Sequence, residues 1–150
     1  MQDANYKMMK TNKQLIGIDL FAGAGGLSLG AEMAGISMRY AVEADAYAAA
    51  SYKRNFKNAT VFCEDIRKLS ADKLNTQPVF IIMGGPPCQG FSLSNTKTRD
   101  MSNPNNRMFE EFLRFVDKIA PTWFVFENVY GLTKFKKGEG NYQKQTKTDL

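Results

Sequence analysis

The chain contains no histidine and only two cysteines, Cys63 and Cys88. Without histidine there is no Ser-His or Cys-His nucleophile pair, and the commonest general base and zinc ligand are both missing. A Cys/His metal site is therefore not expected. Two cysteines do not make a disulfide framework. No run approaches the ~18 apolar residues of a membrane span. The opening "MQDANYKMMKTNKQ" lacks the apolar centre of a signal peptide. Free thiols without an export signal suit a reducing, cytoplasmic setting. No internal repeat or low-complexity segment is visible.

What is present has the size and balance of one globular domain, 150 residues with a hydrophobic fraction of 43%, enough to bury a core without staples. The net charge of +5 sits at the ends: residues 1–13 carry +2 and residues 134–150 carry +3, leaving a neutral body. A basic end can touch phosphate, and it can equally be a solvated tail. The expected organisation is a polar lead-in over 1–14, a half-domain over 15–132 and a basic, weakly structured tail over 133–150. Within the half-domain, "LIGIDLF" (15–21), "MRYAVEAD" (38–45), "TVFC" (60–63), "VFIIM" (79–83) and "WFVFENV" (123–129) read as strands. Helices are predicted over 27–34 with Gly35 as cap, over 46–56, over part of 67–74, and over 107–120 where Pro121 stops the run. Strands apolar on both faces and alternating with helices predict an α/β parallel sheet covered on both sides. Ligands of such sheets bind beyond the carboxyl ends of the strands. Asp19 to Gly26, Glu43, Asp65, "GGPPCQ" and Glu127-Asn128 all fall at those ends.

The loop "DLFAGAGG" has glycines that let a ligand approach the backbone. The spacing Gly23-x-Gly25-x-x-Ser28 resembles a dinucleotide fingerprint with serine where glycine or alanine is expected. Glu43, at the end of the second strand, can accept both hydrogen bonds of a ribose diol, and Asp65 can receive an adenine amino group. The alternative is ordinary turn glycines and solvated acids. Cys63, inside an apolar strand, fits a small buried hydrophobe. Cys88 does not: it follows a strand and is held by Pro86-Pro87, as a nucleophile must be held. Glu127 ends an apolar strand, where desolvation can turn a carboxyl into a proton donor; a capping or surface acid is the plainer alternative.

"DLFAGAGGLSLG", "VEAD", "EDI", "GGPPCQGFS" and "FENV" occur in order, and together they resemble the cytosine carbon-5 methyltransferases that use S-adenosylmethionine. The likeness runs from about residue 15 to 132. It implies a Rossmann-like, doubly wound parallel sheet of the S-adenosylmethionine methyltransferase type. Cys88 then matches the nucleophile for carbon 6 of cytosine, and Glu127 the acid that contacts ring nitrogen 3. Phe21, Gly23 and Gly26 match positions that wrap the cofactor. Glu43 matches the ribose ligand, followed by Ala44 where many relatives carry a bulky stacking side chain. Asp65 and Ile66 match the adenine contacts. Gly85 and Pro87 border the methionine end, and Met108 replaces a lining leucine. Asn128 matches a residue that orders the Pro-Cys loop. Gln89 and Ser92 match substrate or loop positions, and the 92–107 segment is similar to a lid over a cytosine flipped out of double-stranded DNA. Around 103–108 the family's acidic and arginine positions read "NPNNRM".

Family members continue well beyond the "ENV" strand with an arginine-rich strand, a target-recognition domain and a returning helix. None of these has a counterpart here, so the sheet is expected to be incomplete on its C-terminal side. The likeness thus implies a fragment, or one polypeptide of a split enzyme whose partner carries the recognition region. An RNA cytosine methyltransferase of the same fold and a non-catalytic cofactor-binding module remain open. A nicotinamide oxidoreductase leaves "PPCQ" without a use. The setting implied is DNA modification in a bacterial cytoplasm, alongside restriction.

Overall fold

Five short strands and three α-helices form in the computed structural model, which describes residues 14–74, 78–87 and 108–127. The strands are β1 (Ile16–Leu20), β2 (Ser37–Val42), β3 (Thr60–Phe62), β4 (Ile81–Gly84) and β5 (Trp123–Phe126). The helices are α1 (Gly26–Met33), α2 (Ala46–Asn55) and α3 (Met108–Ile119), with a 3-10 turn at Ala71–Leu74. All strand pairings are parallel, in the order β3-β2-β1-β4-β5. The chain therefore runs outward from β1 to β3, then returns to the other side of β1. That reversal opens a crevice between the loops that follow β1 and β4.

Alternate strand residues feed two faces. On one, Ile18, Leu20, Val42 and Ile82 pack with Phe112, Phe115 and Ile119 of α3 and with Leu74 of the 3-10 turn. On the other, Ala31 of α1 meets Met38, Ile81 and Met83, and Tyr52 of α2 meets Ala41. Met38 and Ala41 share a face because the β1–β2 register shifts, Gly17 opposing Met38 and Ile18 opposing Tyr40. Arg39 is the extra residue, a bulge that turns the strand over. The core of α3 follows its sequence period, with Met108, Phe112, Phe115 and Ile119 buried.

The ends of the helices have local causes. Gly35 takes φ 84 after α1, its N–H donating to the Glu32 carbonyl and that of Ile36 to the Ala31 carbonyl. These two bonds are a Schellman motif, and they bear out Gly35 as the stop signal. Asp45 caps α2 by accepting from the Ala48 N–H at 2.8 Å.

Two expectations need correction. Cys63 is exposed, not buried in a strand, because β3 ends at Phe62 and the chain turns away toward Asp65. Asp19 is fully buried within β1 and not at the rim. The short helix expected over part of 67–74 is present as the four-residue 3-10 turn. The lead-in up to residue 13 and the tail after residue 132 lie outside the described residues.

Candidate active site

The carboxyl ends of the strands converge on a cleft of about 390 Å³, within the roughly 300–1,000 Å³ of small-molecule sites. Phe21 enters it from β1, Glu43 and Ala44 from β2, Asp65 and Ile66 from the turn after β3, Gly85 and Pro87 from β4, and Met108 from the start of α3. These eight sequence-derived positions share one cavity. Gly23 and Gly26 are not in its lining, nor is Glu127, though Glu127 adjoins it. Val42, Glu64 and Arg67 line it as well. None of the three was singled out from sequence. Arg67 has a readable signal, a cation two residues after the Asp65 acid.

The glycine loop sets the first wall. Phe21 holds φ 61, a region that side-chain-bearing residues rarely occupy and that tends to persist at functional sites. Gly23 contributes through its backbone: its N–H donates to Glu43 Oε2 at 2.7 Å. The Asp45 N–H donates to Glu43 Oε1 at 2.8 Å. One carboxylate thus ties the β1 loop to the β2 loop, and each of its oxygens keeps a further lone pair for a ligand. Gly26 begins α1 with open space where a Cβ would lie, so packing alone does not require glycine there.

The second wall is the turn after β3. Arg67 donates from Nε to Asp65 Oδ1 at 2.9 Å, and its backbone N–H donates to the same oxygen at 3.0 Å. These bonds, the side-chain ones first, hold the Asp65 carboxyl down to about 2. Asp65 is therefore an anion across the whole working pH range and can accept a ligand donor. The neighbouring carbonyls of Ile66 and Leu69 accept from Arg114 of α3.

The third wall brings an acid to the cleft. The Glu127 N–H donates to the Gly84 carbonyl at 3.0 Å, extending the β4–β5 ladder by one residue. Its carboxylate lies directly against Gly85: a Cβ on that glycine would collide with Glu127 Oε2. Glu127 is exposed in this structure. Pro86 is buried and Pro87 exposed. They deliver the chain to Cys88, which lies outside the described residues together with Gln89, Ser92, Asn128 and the 92–107 segment.

Beneath the glycine loop runs a buried chain of polar groups. Ser28 Oγ donates to Asp19 Oδ2 at 2.6 Å and shares a second 2.6 Å hydrogen bond with the Tyr52 hydroxyl. This explains why serine occupies the place where the fingerprint has glycine or alanine: its hydroxyl links β1, α1 and α2. Burial pushes Asp19 up to about 6 against the opposing hydrogen bonds from Ser28, with Glu43 adding a smaller push. Burial also pushes the Tyr52 hydroxyl above its ordinary value. Among the described residues there is no cluster of His, Cys, Asp and Glu that could hold a metal ion. No described helix is long and apolar enough to cross a membrane.

The comparisons with known proteins agree with this geometry. The family model for C-5 cytosine-specific DNA methylase matches residues 15–150. The chain is 45% identical over 129 residues to the type II methyltransferase M.DdeI of Desulfomicrobium norvegicum, covering 85% of this chain and 31% of that protein. It is 43% identical over 124 residues to the type II methyltransferase M.XorII of Xanthomonas oryzae pv. oryzae, covering 79% and 29%. A solved DNA modification methyltransferase of an E. coli prophage superposes with a TM-score of 0.70 at 38% identity, covering 81% of this chain and 34% of that one. The chain thus spans about a third of the length of these relatives. With a parallel Rossmann-like sheet, a cleft at its switch point and these matches, the chain belongs to the C-5 cytosine-specific DNA methylases.

Proposed function

We propose that this chain is the cofactor-binding and nucleophile-bearing part of an enzyme that methylates carbon 5 of cytosine in double-stranded DNA, with S-adenosylmethionine as methyl donor. One observation carries the reading: Gly85 lines the cleft and also backs the Glu127 carboxylate. The cofactor site and the acid therefore share a wall, and Cys88 follows three residues later.

The residues present fit an adenosine ligand. Glu43, fixed by two amides, suits a ribose diol. The Asp65 anion suits an adenine amino group, and Phe21, Ile66 and Met108 supply apolar surface. Bound there, S-adenosylmethionine supplies an electrophilic methyl group. The chain's own residues do the rest. The Cys88 thiolate adds to carbon 6 of a flipped cytosine, and Glu127 holds a proton at ring nitrogen 3. Carbon 5 would then be nucleophilic enough to accept that methyl as its bond to the sulfonium sulfur breaks and the thioether S-adenosylhomocysteine is left, and the carbon 5 proton would pass to water or another base. The thiolate then leaves. The other residues of such a site, including those that read the target sequence, are assigned to parts of the enzyme outside this chain, whether covalently attached or on a second polypeptide.

The test is calorimetric binding of S-adenosylhomocysteine to the chain, with Glu43→Ala as control. Saturable binding that Glu43→Ala weakens at least tenfold supports the reading; equal binding by both proteins rejects the assigned ribose contact. In the completed enzyme, Cys88→Ala is expected to abolish methyl transfer and leave cofactor affinity nearly unchanged.

A further inference from the structure

We propose that Arg114 is a positioning residue for nucleobase recognition: from α3 it clamps the Asp65–Leu69 turn that presents Asp65 and Ile66 to the cleft. The proposal rests on the reading that the cleft takes S-adenosylmethionine.

One terminal nitrogen of Arg114 donates to the Ile66 carbonyl at 2.7 Å and to the Leu69 carbonyl at 3.2 Å. These partners lie 48 and 45 residues away in sequence, so the contact is a tertiary clamp and not a local cap. Arg114 is itself held. Its Nε donates to Glu111 Oε2 at 2.8 Å, one helical turn earlier. Its guanidinium carbon lies 4.6 Å from the centroid of the Phe115 ring, which is fully buried. An exposed ion pair contributes little stability alone, but these two contacts orient the planar fork toward the carbonyls. A lysine has the charge without the fork.

The clamped turn carries its own short bonds, Lys68 N–H to the Asp65 carbonyl at 2.9 Å and Leu69 N–H to the Ile66 carbonyl at 3.3 Å. Together with the Arg67–Asp65 bonds, these make the turn one body, and Arg114 ties that body to α3. Helix α3 is in turn seated in the core through Phe112, Phe115 and Ile119, and its first residue, Met108, lines the cleft. Two walls of the cleft are thereby fixed to the same helix.

The chemical consequence is selectivity. Adenine offers an amino donor at position 6, suited to the Asp65 carboxylate, and an acceptor at N1, suited to the Ile66 N–H. Hypoxanthine reverses both, with a carbonyl at position 6 and a protonated N1. A fixed turn rejects hypoxanthine because neither group can retreat. A loosened turn loses the adenine bonds and tolerates the reversed base.

The experiment measures affinities of the full chain and of its Arg114→Met and Arg114→Lys variants for S-adenosylhomocysteine and S-inosylhomocysteine by calorimetry, with thermal midpoints recorded alongside. The adenine preference is expected to fall about tenfold in Arg114→Met, the equivalent of one or two neutral hydrogen bonds. A smaller, severalfold fall is expected in Arg114→Lys. If both ligands weaken equally in Arg114→Met, the residue is only structural and the proposal is overturned. Should Arg114→Met not fold, an unchanged preference in Arg114→Lys overturns it. If the unaltered chain binds neither ligand, the cofactor reading fails and this proposal falls with it. An unaltered chain that binds adenine selectively, with variants that keep that selectivity, overturns the Arg114 proposal alone.

Discussion

Asp19 shows what a single residue contributes beneath the site. It is fully buried, its Oδ2 is served by Ser28, and its Oδ1 has no partner among the described residues. Holding a charge there is costly, which is why burial raises its pKa from 3.8 to about 6. Between pH 4 and 6 the unfolded chain has released a proton that the folded chain still holds. Stability therefore falls as pH rises through that window. Above it, the charged form costs about 3 kcal/mol relative to an unburied carboxyl. Tyr52 titrates far above the window, and Glu43 adds a push on Asp19 smaller than that of burial. Asp65 works in the opposite sense and lower down: its contribution is present above pH 4 and is lost as pH falls toward 2. Urea unfolding from pH 4 to pH 8 is expected to show the decline in the unaltered chain and a flatter profile in Asp19→Asn. An unchanged slope in Asp19→Asn would assign the decline to another group.

At the scale of elements, the loop between β2 and α2 carries two separable functions on one residue. The Asp45 side chain caps α2, and its backbone N–H holds Glu43. Asp45→Ala removes the cap and keeps the N–H. Asp45→Pro removes both, and the native φ of −76 already suits proline. Both variants are expected to lose about 1 kcal/mol of stability through the cap. Only Asp45→Pro is expected to weaken S-adenosylhomocysteine binding, by up to about tenfold. Calorimetry paired with urea unfolding separates the two effects; equal weakening in both variants would refute the role of the N–H. The same loop shows what was legible in the sequence. Glu43 and Asp65 could be placed at strand ends from apolar runs alone, because period and turn chemistry are local. The ends of α1 and α3 were readable from Gly35 and Pro121 for the same reason. Contacts spanning long separations were not legible. Nothing local tells that Ser28 meets Asp19 and Tyr52, that Arg114 meets Ile66, or that β3 stops before Cys63. Each depends on which elements the sheet order brings together.

Across the whole molecule, the sheet is closed unevenly. The β3 side is flanked by α2, whereas β5 leaves Trp123 61%, Phe124 55% and Val125 45% exposed. Phe124 and Phe126 touch Phe112 of α3 in edge-to-face contacts. Trp123 and Val125 alternate with them and so point to the opposite face, where no described helix covers them. β5 pairs with β4 along one edge, and among the described residues its other edge carries no strand. An apolar edge strand of this kind is a template for pairing with another chain. Relatives about three times as long have further chain available to cover it; in the isolated 150-residue chain, a second copy is the nearest partner. The chain alone is therefore expected to self-associate through β5, seen as a concentration-dependent mass in sedimentation equilibrium. Val125→Lys places a charge on the uncovered face and is expected to shift the population toward monomer. Val125 is not among the residues that line the cleft, so affinity for S-adenosylhomocysteine should stay within about twofold. Undiminished association in Val125→Lys would move the contact away from β5. A monomer at all concentrations in the unaltered chain would mean that the edge is already covered by residues of the chain itself.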